Sequence, residues 1–209
     1  MKAFVYTELQ ISIPFDQAPW QEINQVLKQQ PGILNKTWLA GIDATSVGGF
    51  YSFDSIENAQ KFVTEYFPSE AKKLGRAQRT LIFTADTVKE ASIAMDSVHF
   101  GAPNKQQPGA YVYTEVQLNV QPFDSAPWRE LNPVLKQQPG LLAKTWLSGL
   151  HTGTPGGFYA FDTIENAQRF ATEYFPTEAA QLNAAFTTRV FDASVVEEAS
   201  REMNSPFYQ

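Results

Sequence analysis

An α+β fold made of two tandem copies of one unit, each an antiparallel sheet with its main helices on one face, is predicted by three observations. The first is a repeat: Lys28–Leu39 reads KQQPGILNKTWL, and Lys136–Leu147 reads KQQPGLLAKTWL. The second is hydrophobic periodicity, which in each copy switches between two and 3.6 residues in the order strand, helix, strand, strand, helix, strand. The third is the stretch His99–Ala110, HFGAPNKQQPGA, whose two prolines, two glycines and lack of apolar period are linker chemistry. The units are therefore 1–98 and 111–209, with 99–110 between them.

Each element has a local reason. Ala3–Ile13 alternates, with Ala3, Val5, Thr7 and Leu9 on one face and Phe4, Tyr6, Glu8 and Gln10 on the other. The second copy repeats this from Tyr111 to Val120, and one extra residue near Gln121 shifts its register. Pro19 suits the first turn of a helix, which carries Trp20, Ile23, Val26 and Leu27 at helical spacing and ends at Pro31-Gly32. Ile33–Ile42 and Gly48–Asp54 are the next strands, and Gly48-Gly49 signals a bulge or a close backbone approach. Asp54 or Ser55 caps a second helix, with Glu57 placed to reach back; Ile56, Ala59, Phe62, Val63 and Tyr66 share its face. Pro68 is expected to break it before a short piece to Leu74. Ala77–Ala85 supplies a fourth strand, and Thr87 to Asp96 a closing helix.

That order is the split βαβ, or ferredoxin-like, pattern. Its open sheet face would expose Phe4, Tyr6 and Trp38, too large an apolar patch to leave bare. The second copy is expected to cover it face to face as an intrachain pseudo-dimer, enclosing a lumen, with further homodimerisation left open.

Composition narrows the function classes. A net charge of −6 with scattered Lys and Arg argues against a nucleic-acid groove. The absence of cysteine removes disulfides and thiolate chemistry. The first residues reach Glu8 too soon for a signal peptide, and no apolar run is long enough to span a membrane, so a soluble, cytoplasmic protein without membrane partners is expected.

The combination of P-G-[IL]-L-x-K-T-W, G-G-F-Y-x-F-D, an E-N-A-Q helix and a fourth strand ending in Val190, Phe191 and Asp192 resembles the YdhR-type monooxygenases of the dimeric α+β barrel group. The likeness covers nearly all of each unit, although the first copy reads Ile82, Phe83 and Thr84 at the fourth strand. It implies a barrel of two units, here within one chain, and chemistry on an aromatic or quinol-like substrate without a cofactor.

The lumen so predicted is lined by Tyr6, Glu8, Lys36 and Trp38 with Tyr113, Glu115, Lys144 and Trp146. Glu8, Glu115, Tyr6 and Tyr113 are the candidate catalytic groups, taking a proton so that the substrate anion meets dioxygen. Trp38, Trp146, Lys36 and Lys144 are the candidate substrate-binding groups. Structural readings stand beside these: tryptophans that pack, and a Glu8–Lys36 ion bridge. His151 is expected in a solvated loop and His99 in the linker, so no haem or zinc site is predicted. The glycines of HTGTPGG lack a phosphate loop's lysine and following helix. Three classes follow: a cofactor-independent monooxygenase, a non-catalytic binder of small hydrophobic molecules, and a structural protein whose lumen is filled.

Overall fold

The structure is a computed structural model that describes residues 1–11, 13–42, 45–118, 123 and 126–209. Alternation at the start of the chain gives β1 (Ala3–Gln10), buried on both faces for most of its length. Its ladder with β3 ends where Gln10 meets Ser46, short of the expected Ile13. Ser12 lies outside the described residues, as do Asn119, Val120, the extra residue near Gln121, and Asp43-Ala44 of the loop that varies between copies.

Pro19 caps α1 (Trp20–Leu27) from just outside rather than from its first turn. The helix buries Asn24 and Leu27, while Val26, expected on the apolar face, is exposed. Gly32 then takes a φ of +81°, and Gly140 in the second copy +73°, a conformation that stops the helix and favours glycine. β2 (Ile33–Gly41) and β3 (Ser46–Phe53) follow, the latter starting earlier than its glycine pair suggested.

Ser55 caps α2 (Ile56–Lys61), its Oγ accepting the Asn58 N–H at 3.2 Å. Asn58, not Glu57, completes the cap by donating its side-chain amide to Asp54. Pro68 does not break the helix: a π turn over Phe62–Tyr66 leads directly into α3 (Phe67–Lys73), whose first turn has no use for the missing proline N–H. β4 (Gln78–Thr84) and α4 (Lys89–Ile93) close the first half. The second half repeats the plan as β5 (Ala110–Gln117), α5 (Trp128–Leu135), β6 (Leu141–Ser148), β7 (Pro155–Phe161), α6 (Ile164–Arg169), α7 (Phe175–Gln181), β8 (Ala185–Asp192) and α8 (Glu197–Glu202).

The strands form one eight-stranded sheet in the order β4-β1-β3-β2-β8-β5-β7-β6, antiparallel throughout. The halves join where Ala40 and Gly41 pair with Asp192 and Phe191. The outer strands touch at one further bridge, Phe83 to Gly149, beside a hydrogen bond from the Leu150 N–H to the Ile82 carbonyl at 2.8 Å. The mixed α+β class and antiparallel sheets are as expected, but the sheets are joined at their edges and do not close by a second full ladder.

The terminal helices are exchanged between halves. The Ser92 Oγ of α4 accepts the Trp146 N–H at 2.9 Å, and the Ser200 Oγ of α8 accepts the Trp38 N–H at 2.9 Å. Likewise the Lys144 N–H reaches the Met95 carbonyl and the Lys36 N–H reaches that of Met203. These bonds satisfy β2 and β6 backbone groups that the sheet leaves without a partner at those positions. The segment after α4 is not all solvated linker: the His99 ring sits against Phe4, Phe50 and Phe207, and burial lowers its pKa to about 3.

Candidate functional site

Stacked rings occupy the expected lumen at the seam, while on the same face a recess of about 320 Å³ is lined by Glu8, Arg79, Thr187 and Arg189. Across the seam the Tyr6 and Tyr113 rings stack at 4.3 Å between centroids, and the Phe50 and Phe158 rings at 4.4 Å. Stacking at those separations places ring on ring where a chamber was expected.

The carboxylates on this face are committed as well. Glu8 accepts the Tyr6 hydroxyl at 2.6 Å and is bonded by Arg189 from the opposite half. Glu115 accepts the Tyr113 hydroxyl at 2.9 Å and pairs with Arg79 at 2.7 Å. The structural ion bridge foreseen for Glu8 therefore exists with a different partner, because Arg189, not Lys36, shares its face. Burial of Glu8 opposes ionisation, but the hydrogen bonds from Arg189, Tyr6 and Ser46 outweigh it and hold its pKa below the usual carboxylate value. Burial and the adjacent carboxylates push the Tyr6 and Tyr113 hydroxyls far up, so neither is a phenolate base.

Lys36, Trp38, Lys144 and Trp146 point the other way, toward the helices. Sheet register explains this: Lys36 pairs with Tyr51 and Lys144 with Tyr159, and those tyrosine rings pack on Phe62 and Phe170 of the helical layer. Placing all eight candidates around one lumen is thus corrected to two groups of four on opposite faces of the sheet. The spacing of two put Lys with Trp and Tyr with Glu correctly, but periodicity does not say which face of one strand matches which face of another.

On the helix side of the second half lies a cavity of about 310 Å³, bounded by Lys144, Trp146 and Tyr159 on the sheet and by Leu131, Tyr174, Phe175 and Glu178 on the helices. The Lys144 Nζ stands 2.8 Å above the centre of the Trp146 ring and 4.9 Å from that of Tyr159. Among the described residues no carboxylate forms an ion pair with it. Burial without a counter-charge drives the pKa of Lys144 well below 10.5, and that of Lys36 likewise. Lys144, its ammonium form disfavoured by burial, thus borders a largely apolar cavity.

Two features that sequence reading missed hold this amine in place. Asn132 of α5 accepts the indole N–H of Trp146 at 2.9 Å and donates to the Ala91 carbonyl of α4 at 3.1 Å; Asn24 does the same for Trp38 and Ala199. The signal was present as an asparagine repeated within an otherwise apolar helical face. Gly157 supplies the second: a Cβ there would fall 2.5 Å from the Tyr159 ring and 2.8 Å from the Lys144 Cε. The glycine pair thus makes room for the lysine, while its other member, Gly156, lies against the Thr114 backbone.

The first half repeats the cage, with Lys36 Nζ 2.7 Å above Trp38 and 5.1 Å from the Tyr51 ring. Its rim differs, because Lys73 pairs with Glu70 at 2.6 Å, whereas Gln181 stands at the position equivalent to Lys73, three residues after Glu178. His151 is exposed at a φ of +63°, the loop position expected of it. Among the described residues no cluster of three His, Cys, Asp or Glu is arranged for a metal, and no helix is long and apolar enough to cross a membrane.

No family model matches this sequence, and no curated protein does. Solved structures do match in fold. An anthrone oxidase-like protein aligns over 91% of this chain and 90% of its own at 14% identity, with a TM-score of 0.61. An inferred monooxygenase from Lactobacillus acidophilus NCFM aligns over 91% and 92% at 9% identity, TM-score 0.51. Chlorite dismutase from Candidatus Nitrospira defluvii aligns over 95% of both chains at 8% identity, TM-score 0.53. Each alignment spans both halves, so these proteins share the dimeric α+β barrel type of architecture; at such identities the likeness is one of fold.

Proposed function

We propose that this chain is a cofactor-independent monooxygenase acting on a small aromatic, quinol-like or anthrone-like molecule, and that its working site is the sheet–helix cavity of the second half. The proposal includes its origin as a tandem, YdhR-type duplication whose halves, 1–98 and 111–209, form an intrachain pseudo-dimer. The observation that carries it is Lys144, which lines a largely apolar cavity of about 310 Å³ and among the described residues has no carboxylate partner. The fold is shared with proteins described as monooxygenases and as anthrone oxidase-like, which agrees with that reading.

The chemistry follows from the amine. A neutral Lys144 accepts a proton from an activated methylene of the substrate, and the resulting ammonium rests on the electron-rich faces of Trp146 and Tyr159. The carbanion, held away from water, gives its electrons to dioxygen, and a carbon–oxygen bond forms. Lys144 returns the proton to the peroxide so produced. Loss of the second C–H proton with cleavage of the O–O bond then leaves a carbonyl and water. One methylene and one dioxygen are thus converted into one carbonyl and one water, the methylene carbon being oxidised and both oxygen atoms reduced. Glu8, Glu115, Tyr6 and Tyr113 hold the two halves together in this scheme, on the far side of the sheet from the substrate.

Oxygen uptake and product mass, measured with an anthrone and with quinols under labelled dioxygen, test the proposal. Wild type is expected to place one labelled oxygen in the product, and Lys144→Met to lower the rate at least ~100-fold. Absence of label, or an unchanged rate in Lys144→Met, would overturn it.

A further inference from the structure

The same cavity supports a second reaction, one that does not involve dioxygen. We propose that Lys144 is a nucleophilic amine that condenses with the carbonyl of a planar aromatic aldehyde or ketone to form an imine.

Four observations carry this. Lys144 is among the residues lining the cavity, its Nζ lies over the Trp146 ring, and among the described residues no carboxylate pairs with it. Its stem is held on both sides: the Met95 carbonyl accepts the backbone N–H at 3.1 Å, and the bare face of Gly157 leaves no space for any other side chain beside Cε. The adjoining walls, Trp146, Tyr159, Phe175 and Leu131, present apolar and aromatic surface on which a flat ring stacks while its carbonyl carbon meets the amine. Burial lowers the pKa of the amine and so favours the free base, the form that attacks carbonyls, over the ammonium.

Atoms and electrons balance without a co-reactant. The Lys144 nitrogen adds to the carbonyl carbon, a proton moves from nitrogen to oxygen, and the carbinolamine loses water. One carbonyl and one amine thus become one imine, with a carbon–nitrogen double bond to Lys144, and one water. No oxidant is consumed. Tyr159 and Tyr174, both lining the cavity and both kept protonated by burial, are the acids at hand for the departing hydroxyl.

The full chain is incubated near neutral pH with 2-hydroxybenzaldehyde, reduced with borohydride, and examined by intact mass and peptide mapping. One reduced adduct at Lys144 is expected, saturating at low aldehyde concentration, with at least ~10-fold preference over any exposed lysine. Lys144→Met is expected to lose that adduct. Because a lysine change could disturb packing, Gly157→Ala provides a second reading: it leaves the amine present but displaces it, and labelling is expected to fall at least ~5-fold by the same nucleophile requirement. Adducts spread over surface lysines, no adduct at all, or labelling indifferent to Gly157→Ala would overturn the proposal. Trapping is independent of dioxygen, so a protein that traps the aldehyde but takes up no oxygen would sink the monooxygenase reading alone.

Discussion

The two faces of the sheet are built from nearly the same kinds of side chain and reach opposite outcomes. Between the halves, Tyr6, Glu8 and Arg189, with Tyr113, Glu115 and Arg79, satisfy one another in two symmetric networks. Beneath the helices, the Lys144 amine lies over the Trp146 and Tyr159 rings, and among the described residues no carboxylate pairs with it. An ionisable group becomes chemically available when its charge is not already compensated. The seam has spent its charges on cohesion, and the cavity has kept one amine in reserve. The difference in partners, more than the residue types, separates a structural network from a reactive one.

The largest effect that could break this comparison is on the seam. Tyr113→Ala removes a ring stacked on Tyr6 and the hydroxyl bonded to Glu115. It is expected to cost about 3–5 kcal/mol in chemical denaturation, as truncation of a buried aromatic does. A loss below about 1 kcal/mol would mean that the stack does little to hold the halves, against the burial argument.

A smaller effect is expected from Arg189→Met, which leaves Glu8 without its guanidinium. The arginine is partly exposed, so the cost at neutral pH is about 1–3 kcal/mol, below that of a fully buried pair. Because the folded pKa of Glu8 lies below 4.5, the pair contributes stability above that value and loses it as pH falls through the folded pKa. Denaturation midpoints of wild type and variant should therefore converge on the acid side. Midpoints that stay equally far apart there would assign the difference to something other than this carboxylate.

The cavity face gives the most diagnostic signal. Desolvation places the folded pKa of Lys36 and Lys144 well below 10.5, so across that interval the unfolded chain binds more protons than the folded one. Stability contributed this way rises with pH, with the same sign as the effect at Glu8 but in a more alkaline window. The Lys36→Met/Lys144→Met double variant should show a flatter rise in urea midpoint between about pH 7 and about pH 9 than wild type. An identical slope would show that these amines are charged in the folded protein and would remove the base from the proposed chemistry.

Much of this molecule was legible before folding was considered. The repeated Lys28–Leu39 block, the alternation in β1 and the proline-glycine stops gave the element order, because strand and helix periods reflect local backbone geometry. The pairing of Lys36 with Trp38 and of Tyr6 with Glu8 followed from the same period. Three things waited for the tertiary structure. Which face of β2 and β6 meets the helices depends on their register with β3 and β7, a long-range choice that flips every side chain if it slips by one residue. The true partner of Glu8 is Arg189, 181 positions away in the chain, so no local pattern could name it. The exchange of α4 and α8 across the halves likewise arises only once β2 and β6 present backbone groups that a helix from the opposite half is placed to satisfy. The sequence by itself determined what each strand offers on its two sides; only the assembled sheet decided which side was sealed against the other half and which was left facing an empty space.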